Sequence, residues 1–405
     1  MNDWLSDRNG SLYAEDVSLD AIAKQFGTPA YVYSRAAIRS AFTEFRQACD
    51  GRRVLVCYAL KANSNLAVID LLAREGAGFD IVSGGELQRV LAAGASPSRI
   101  VFSGVGKSEA EMRLALEQQV RCFNVESAAE LHRLSRVATD AGKTAPVSLR
   151  VNPDVDAGTH RYISTGLREN KFGIAHEEAV QTYRQASTLP GLKIVGIDCH
   201  IGSQITEIAP FIAALDKLAD LVAELKAQGI KLEHIDLGGG LGIDYDGQAP
   251  PSRKAMLEAL FTRIDADPNL RDLEVMFEFG RSLVGNAGLL LTRVEYLKPT
   301  PAKRFAIVDA AMNDLMRPAL YDAFHRIVPV TPRSGPRQLY DVVGPICESG
   351  DWLGRELNLC IEQGDLLAIL SAGAYAMAMS SNYNTRPRPP EIMVDKGEMH
   401  LIRAR

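Results

Sequence analysis

At 405 residues the chain is too long for one ordinary hydrophobic core, so two domains are expected. A composition 46% hydrophobic and 23% charged is that of a globular chain, and a formal charge of -5 gives no electrostatic reason to approach nucleic acid or an anionic membrane. The opening Met1-Asn-Asp-Trp-Leu-Ser-Asp-Arg8 lacks the basic and apolar regions of a secretory leader, and no apolar run is long enough to span a bilayer.

Residues 11–34 read as a preamble: helical spacing over Ser18–Phe26, a break at Gly27-Thr-Pro29, and a strand over Ala30–Tyr33. A helix pattern follows from Arg35 to about Cys49. Strand-like runs then recur at Val54–Leu60, Gly78–Val82, Ile100–Ser103, Cys122–Val125, Val147–Val151, Ile194–Cys199, His234–Leu237 and Val275–Phe279. Helical patterns lie between most of them, such as Leu66–Glu75, Gly85–Ala93, Glu109–Gln118, Ala128–Ala141 and Ile208–Ala227. Gly76, Gly94, Gly142 and Gly229 stand where helices end. Roughly eight β-α units in about 230 residues predict a closed TIM (β/α)8 barrel over 35–281. An open doubly wound sheet is the alternative, because strand order cannot be read from one sequence.

After about Ser282 the runs Leu289–Tyr296, Arg304–Asp309, His325–Val330, Gln338–Val343, Asp365–Leu370 and Ile392–Val394 are separated by Pro and Gly rather than by long helices. They predict an antiparallel β-sandwich or Greek-key-like domain over 282–405 that also takes in the 1–34 segment. Pro387-Arg-Pro-Pro390 reads as a loop before a last edge hairpin. The six cysteines are scattered without a CxxC pair, and Cys57, Cys122 and Cys199 fall inside apolar runs, which suits free thiols in a reducing cytoplasm.

The candidate chemistry lies at barrel strand ends, where this fold places active sites. Lys61 follows the first strand, just before the capping candidates Asn63-Ser-Asn65. It either snorkels to water or is held for Schiff-base chemistry, since partial burial lowers a lysine pKa. His176-Glu-Glu-Ala-Val180 lacks the second histidine of a zinc-protease helix, and Gly238–Gly242 lacks the last glycine of the dinucleotide fingerprint. No Walker sequence, nucleophile elbow or metal-ligand spacing is present. There remain His200-Ile-Gly-Ser203-Gln204, Gly238-Gly239-Gly240 and Glu278-Phe-Gly280-Arg281. Glycines let backbone N–H groups approach an anion, although a triplet can equally be a tight turn. A lysine, a carboxylate, a stackable histidine and a phosphate cradle at one rim suggest pyridoxal 5′-phosphate.

Tyr58-Ala-Leu-Lys61-Ala-Asn63, Gly78-Phe-Asp80 with Ser83-Gly-Gly-Glu86, His200 to Gln204, Gly238 to Gly240 and Glu278-x-Gly-Arg281 resemble the barrel-type pyridoxal-phosphate decarboxylases, in that family's order, from about Gly27 to Tyr383. The resemblance implies a homodimer whose active sites lie between one subunit's barrel and its partner's β-domain. It implies Lys61 as the Schiff-base lysine, His200 stacked on the ring and Glu278 on the pyridinium. Ser203, Gly239, Gly240, Gly280, Arg281 and Tyr375 would surround the cofactor, with Asp80, Glu86 and Arg150 in support. Phe279 departs from the family's usual proline. Cys347, in Gly344-Pro-Ile-Cys347-Glu348-Ser-Gly-Asp351, matches the interface loop whose cysteine returns a proton to the substrate carbanion. Asn313-Asp-Leu-Met-Arg317-Pro-Ala-Leu-Tyr321 matches the diaminopimelate branch: Arg317, Tyr321 and Arg281 would take the distal carboxylate and Glu348 the distal ammonium. The expected reaction is decarboxylation of meso-2,6-diaminopimelate. An ornithine or lysine decarboxylase, a racemase on the same barrel and a non-catalytic relative are the alternatives.

Overall fold

The run before Lys61 is a strand, Val54–Ala59, buried along nearly its whole length. The computed structural model describes residues 3–158, 163, 165–167, 169–247 and 250–405; the first two residues of the opening segment lie outside these. The chain divides into two units: Phe42–Gly242 with Pro250–Gly280, and Met1–Ala41 with Ile243–Ala249 and Arg281–Arg405.

In the first unit, parallel strands Val54–Ala59, Gly78–Ile81, Ile100–Phe102, Cys122–Val125, Ala145–Asn152, Leu192–Asp198, His234–Asp236 and Glu274–Phe279 form a ring. The last pairs with the first, Glu278 opposite Cys57, and Cys122–Val125 pairs with Ala145–Asn152. This closure excludes the open sheet. Helices on the predicted runs start where side chains satisfy free backbone donors: Asn65 caps Leu66–Arg74, Ser83 caps Gly84–Ala92, and Ser108 with Glu111 closes a capping box. Because strand side chains alternate, residues two apart share the barrel interior. Leu55, Cys57, Val101, Cys122, Val195 and Met276 make one apolar cluster. Ser103, Asn124 and Glu278 stand two residues further along three of those strands, which makes the layer above it polar.

Phe279 keeps its strand pairing, opposite Tyr58, and its ring stacks on Phe45 at 3.9 Å and Phe277 at 5.3 Å. Where proline would remove a ladder donor, this chain continues the strand and adds an aromatic slab to the outer face of the barrel wall.

In the second unit, strand Ala30–Ser34 pairs antiparallel with Gly288–Pro299 and parallel with Glu391–Asp395, so the N-terminal segment is part of the β-sheet. Arg304–Val308 also pairs in parallel with Gln338–Val343. The sheet is therefore mixed where antiparallel pairing alone was expected; strands far apart in sequence are not bound to the hairpin direction. Leu19, Ile22, Val32, Leu289, Leu291 and Ile392 belong to its core. The expected last hairpin is Glu391–Asp395 with Glu398–Arg403. Two features went unread. Leu5–Arg8, Ser11–Ala14 and Val17–Ser18 form a small meander of strands too short to show a period. Trp352–Leu359 is an edge strand whose Arg355-Glu356 pair interrupts the apolar pattern, with Glu356 at a positive φ of 52°. No described helix is long and apolar enough to cross a membrane.

Candidate active site

At the carboxyl ends of the barrel strands, Lys61 lies in a single 3-10 turn, Leu60–Ala62, immediately after the first strand. Its Nζ donates to Asp80 Oδ2 at 3.0 Å. The Asp80 side chain is fully buried and its Oδ1 has no partner, whereas the lysine side chain is 35% exposed. A buried carboxylate thus holds an ammonium that still reaches solvent. Glu86 caps the next turn through the Val82 N–H at 2.7 Å; burial above all, then Asp80, pushes its carboxyl up to about 7. Arg150, on the fifth strand, pairs with Glu126 at 3.3 Å and lies over Phe172.

The loops after the sixth and seventh strands are locked to each other. The Gly239 N–H donates to His200 Nδ1 at 3.1 Å, which leaves any ring hydrogen of the neutral imidazole on Nε2. Burial, then the Lys61 and Arg150 charges, holds His200 well below its ordinary pKa, so it is neutral. A Cβ at Gly239 would stand 2.0 Å from the Glu278 carbonyl oxygen, and one at Gly240, where φ is +103°, 2.5 Å from the Gly202 oxygen. Only glycine fits this close approach. The Ser203 N–H bonds the Ile163 carbonyl at 3.2 Å in the same loop cluster, and Gly280 packs against Ala62 and Ala59.

Glu278 reaches the barrel interior, where its Oε1 accepts from Ser103 and Asn124 at 3.2 Å each. Asp198, Asp236 and Glu278, from three different strands, bring carboxyl oxygens within 4.8 Å of one another. Linear spacing could not reveal this; the register of three successive parallel strands assembles it, with Asp198 opposite Asp236 and Asp236 opposite Met276. Asp236 Oδ1 accepts the Gly238 N–H at 2.9 Å. Burial first, then the nearest carboxylates (Asp80 for Asp236 and Glu278, Asp236 for Asp198), raises all three carboxyl groups, Asp236 to about 7. Like charges this close cannot all ionise, so the cluster retains protons at neutral pH.

The remaining candidates belong to the β-unit. Arg281 Nη1 donates to the Tyr245 hydroxyl at 2.7 Å and its guanidinium lies 4.7 Å from the Tyr375 ring centre. Arg317 opens the turn Arg317–Tyr321, which puts Tyr321 four residues on along the same face. The Arg317 guanidinium covers the Tyr245 ring at 4.6 Å and meets His325 Nε2 at 2.7 Å. Neither Tyr245 nor His325 was singled out from the sequence; their only cue was proximity to Gly242 and to Tyr321. Cys347 and Glu348 are exposed on a separate loop. Asp351 pins it by accepting the Ile346 and Met312 N–H groups at 2.7 Å each. Asn384 accepts the Cys347 N–H at 3.2 Å, and the Tyr383 hydroxyl donates to Glu348.

A lysine held by a carboxylate, with a neutral ring and a close-packed glycine loop beside it at the mouth of a parallel barrel, defines an enzyme that acts through an organic carbonyl cofactor. The chain belongs to the pyridoxal-dependent decarboxylases: the profile "Pyridoxal-dependent decarboxylase, pyridoxal binding domain" matches residues 35–285. The diaminopimelate decarboxylase of Pseudomonas aeruginosa is 57% identical over 403 residues, covering 100% of this chain and 96% of the relative. That of Vibrio cholerae is 56% identical over 397 residues, covering 98% and 94%. Among solved structures, diaminopimelate decarboxylase from M. jannaschii in complex with L-lysine superposes with a TM-score of 0.95 at 39% identity, covering 100% of this chain and 95% of that one.

Proposed function

We propose that the chain is a pyridoxal 5′-phosphate-dependent carboxy-lyase that removes CO2 from the D-centre of meso-2,6-diaminopimelate to give L-lysine, the closing step of lysine biosynthesis. The observation that carries the substrate is Arg317, 5% exposed and, among the described residues, without an ion-pair partner. A buried guanidinium without a carboxylate is costly unless a ligand supplies one. Ornithine offers no distal carboxylate and would leave that cost uncompensated.

The residues present fit the cofactor. Asp80 Oδ1 is buried without a partner, the glycine loop leaves no room for a side chain at Gly239 or Gly240, and Glu278 is a buried acid. When bound, pyridoxal phosphate supplies a sink for the electrons that CO2 leaves behind. In this reading Lys61 holds it covalently, oriented by Asp80. His200 would stack on the cofactor ring, and Glu278 would pair with the ring nitrogen. Ser203, Gly240, Arg281 and Tyr375 would lie around the phosphate, and Gly239 and Gly280 would also contact the cofactor, with Arg150 and Glu86 in support. Arg317, Tyr321 and Arg281 take the distal carboxylate. Glu348, oriented by Tyr383, takes the distal ammonium, and Cys347 returns a proton to the carbon that lost CO2. Cys347 stands exposed in the single chain, which suits a residue working across a homodimer interface in shared active sites. The free cysteines suit a cytoplasmic enzyme.

CO2 release from meso-diaminopimelate and from ornithine, with and without added cofactor, tests this reading. Faster turnover of ornithine, or turnover independent of cofactor, would overturn it.

A further inference from the structure

His325 lies between the turn Arg317–Tyr321 and the strand Ile327–Pro329 and is 1% exposed. One ring nitrogen, Nδ1, is 2.9 Å from the Leu370 carbonyl oxygen, and the other, Nε2, is 2.7 Å from Arg317 Nη1. A carbonyl only accepts and a guanidinium only donates, so Nδ1 carries the hydrogen and Nε2 is a bare acceptor. The Tyr245 ring meets the imidazole edge-on, 5.2 Å between centres, and lies under the Arg317 guanidinium. Burial, then the Arg317 charge, pushes His325 down to about 3, which keeps it neutral.

An acid in this place would orient Arg317 equally well, but it would also neutralise it and compete with an incoming carboxylate. A neutral imidazole orients without neutralising. Arg317 Nε has no partner, and the arginine makes no ion pair among the described residues, so its charge stays available. We propose that His325 is a positioning residue: through Nε2 it fixes Arg317 so that the remaining guanidinium hydrogens face the distal carboxylate of the ligand, and it thereby sets the preference for carboxylate-bearing ligands. The inference rests on the carboxylate role proposed above for Arg317.

The product L-lysine keeps the distal carboxylate, whereas 1,5-diaminopentane is the same chain without it. Competitive inhibition of the holoenzyme by each is measured for the unaltered protein, His325→Leu, His325→Asn and His325→Gln. Glutamine keeps an acceptor at the Nε2 position; asparagine keeps only the Nδ1-side contact, which provides a second loss variant should leucine fail to fold. The unaltered enzyme should prefer lysine. His325→Leu and His325→Asn should cut that preference about 10- to 100-fold, the range of a lost hydrogen bond to a charged group. The diaminopentane inhibition constant and the visible absorbance of bound cofactor should stay put, and His325→Gln should stay within a few-fold of the unaltered protein. An unchanged preference in the leucine and asparagine variants, or equal weakening of both inhibitors, would overturn the positioning role. No preference for lysine in the unaltered enzyme would instead overturn the carboxylate role of Arg317, and this inference with it.

Discussion

Glu278→Gln exchanges a carboxyl for an amide of nearly equal size where three acids converge, and it should move stability and activity in opposite directions. Burial, then the charges of Asp80, Asp236 and Asp198, raises the Glu278 pKa well above its ordinary value, so ionised Glu278 is an unfavourable form in the cofactor-free protein. The folded state therefore holds the Glu278 proton more tightly than the unfolded one, and stability falls as pH rises from the unfolded value of about 4.3 through the folded pKa. The amide cannot ionise. It keeps an acceptor for Ser103 and Asn124 and gains a permanent donor for Asp236. At pH 8 the cofactor-free variant should be more stable by about 1–3 kcal/mol, the cost of one poorly solvated buried group, and the gain should shrink by pH 5. With cofactor bound, a charge-assisted contact worth about 1.5–3 kcal/mol is lost, so kcat/KM should fall about 10- to 150-fold. Urea unfolding of the cofactor-free protein at both pH values and steady-state decarboxylation are the assays. A variant less stable at pH 8, or one that keeps full turnover, would refute the reasoning.

Cys347→Ala should keep the visible absorbance of bound cofactor and lose about 10²–10⁴ in turnover, the worth of a positioned proton donor; undiminished turnover would remove Cys347 from the chemistry. Gly239→Ala places a Cβ 2.0 Å from the Glu278 carbonyl, which only backbone movement can relieve. It should cost about 1–3 kcal/mol in urea unfolding and weaken cofactor binding in a titration. Asp314, pushed up to about 7 chiefly by burial, binds a proton in the fold that it releases near pH 3.9 when unfolded. Its contribution to stability is present at low pH and lost as pH rises through about 7. Asp314→Asn should flatten Tm between pH 5 and 8, and an unchanged slope would count against it.

Barrel strands and helices were legible because each carries a clear period between glycine stops, and Lys61, His200, Gly239 and Glu278 fall at strand ends on that count alone. The register between strands was not. The neighbouring positions of Asp198, Asp236 and Glu278 depend on the register of three successive strands, which no local pattern encodes. Tyr245 and His325 escaped for a related reason: folding sets each against Arg317, and a partner chosen by folding leaves no spacing to read. In the β-unit, short strands such as Val17–Ser18 give the alternation too few residues to register.

Strand Ala30–Ser34 also bears on biosynthesis of the chain. It is flanked in the sheet by Gly288–Pro299 and Glu391–Asp395, so the element translated early must wait for partners translated near the end. At about 5–20 residues per second the ribosome takes on the order of 20–70 s to cover that gap. Until Gly288–Pro299 is made, an apolar segment, Ala-Tyr-Val-Tyr, has neither sheet neighbour, and it lacks the second until the end of that interval, which makes it a natural client for a holding chaperone and a poor place to attach a fusion partner.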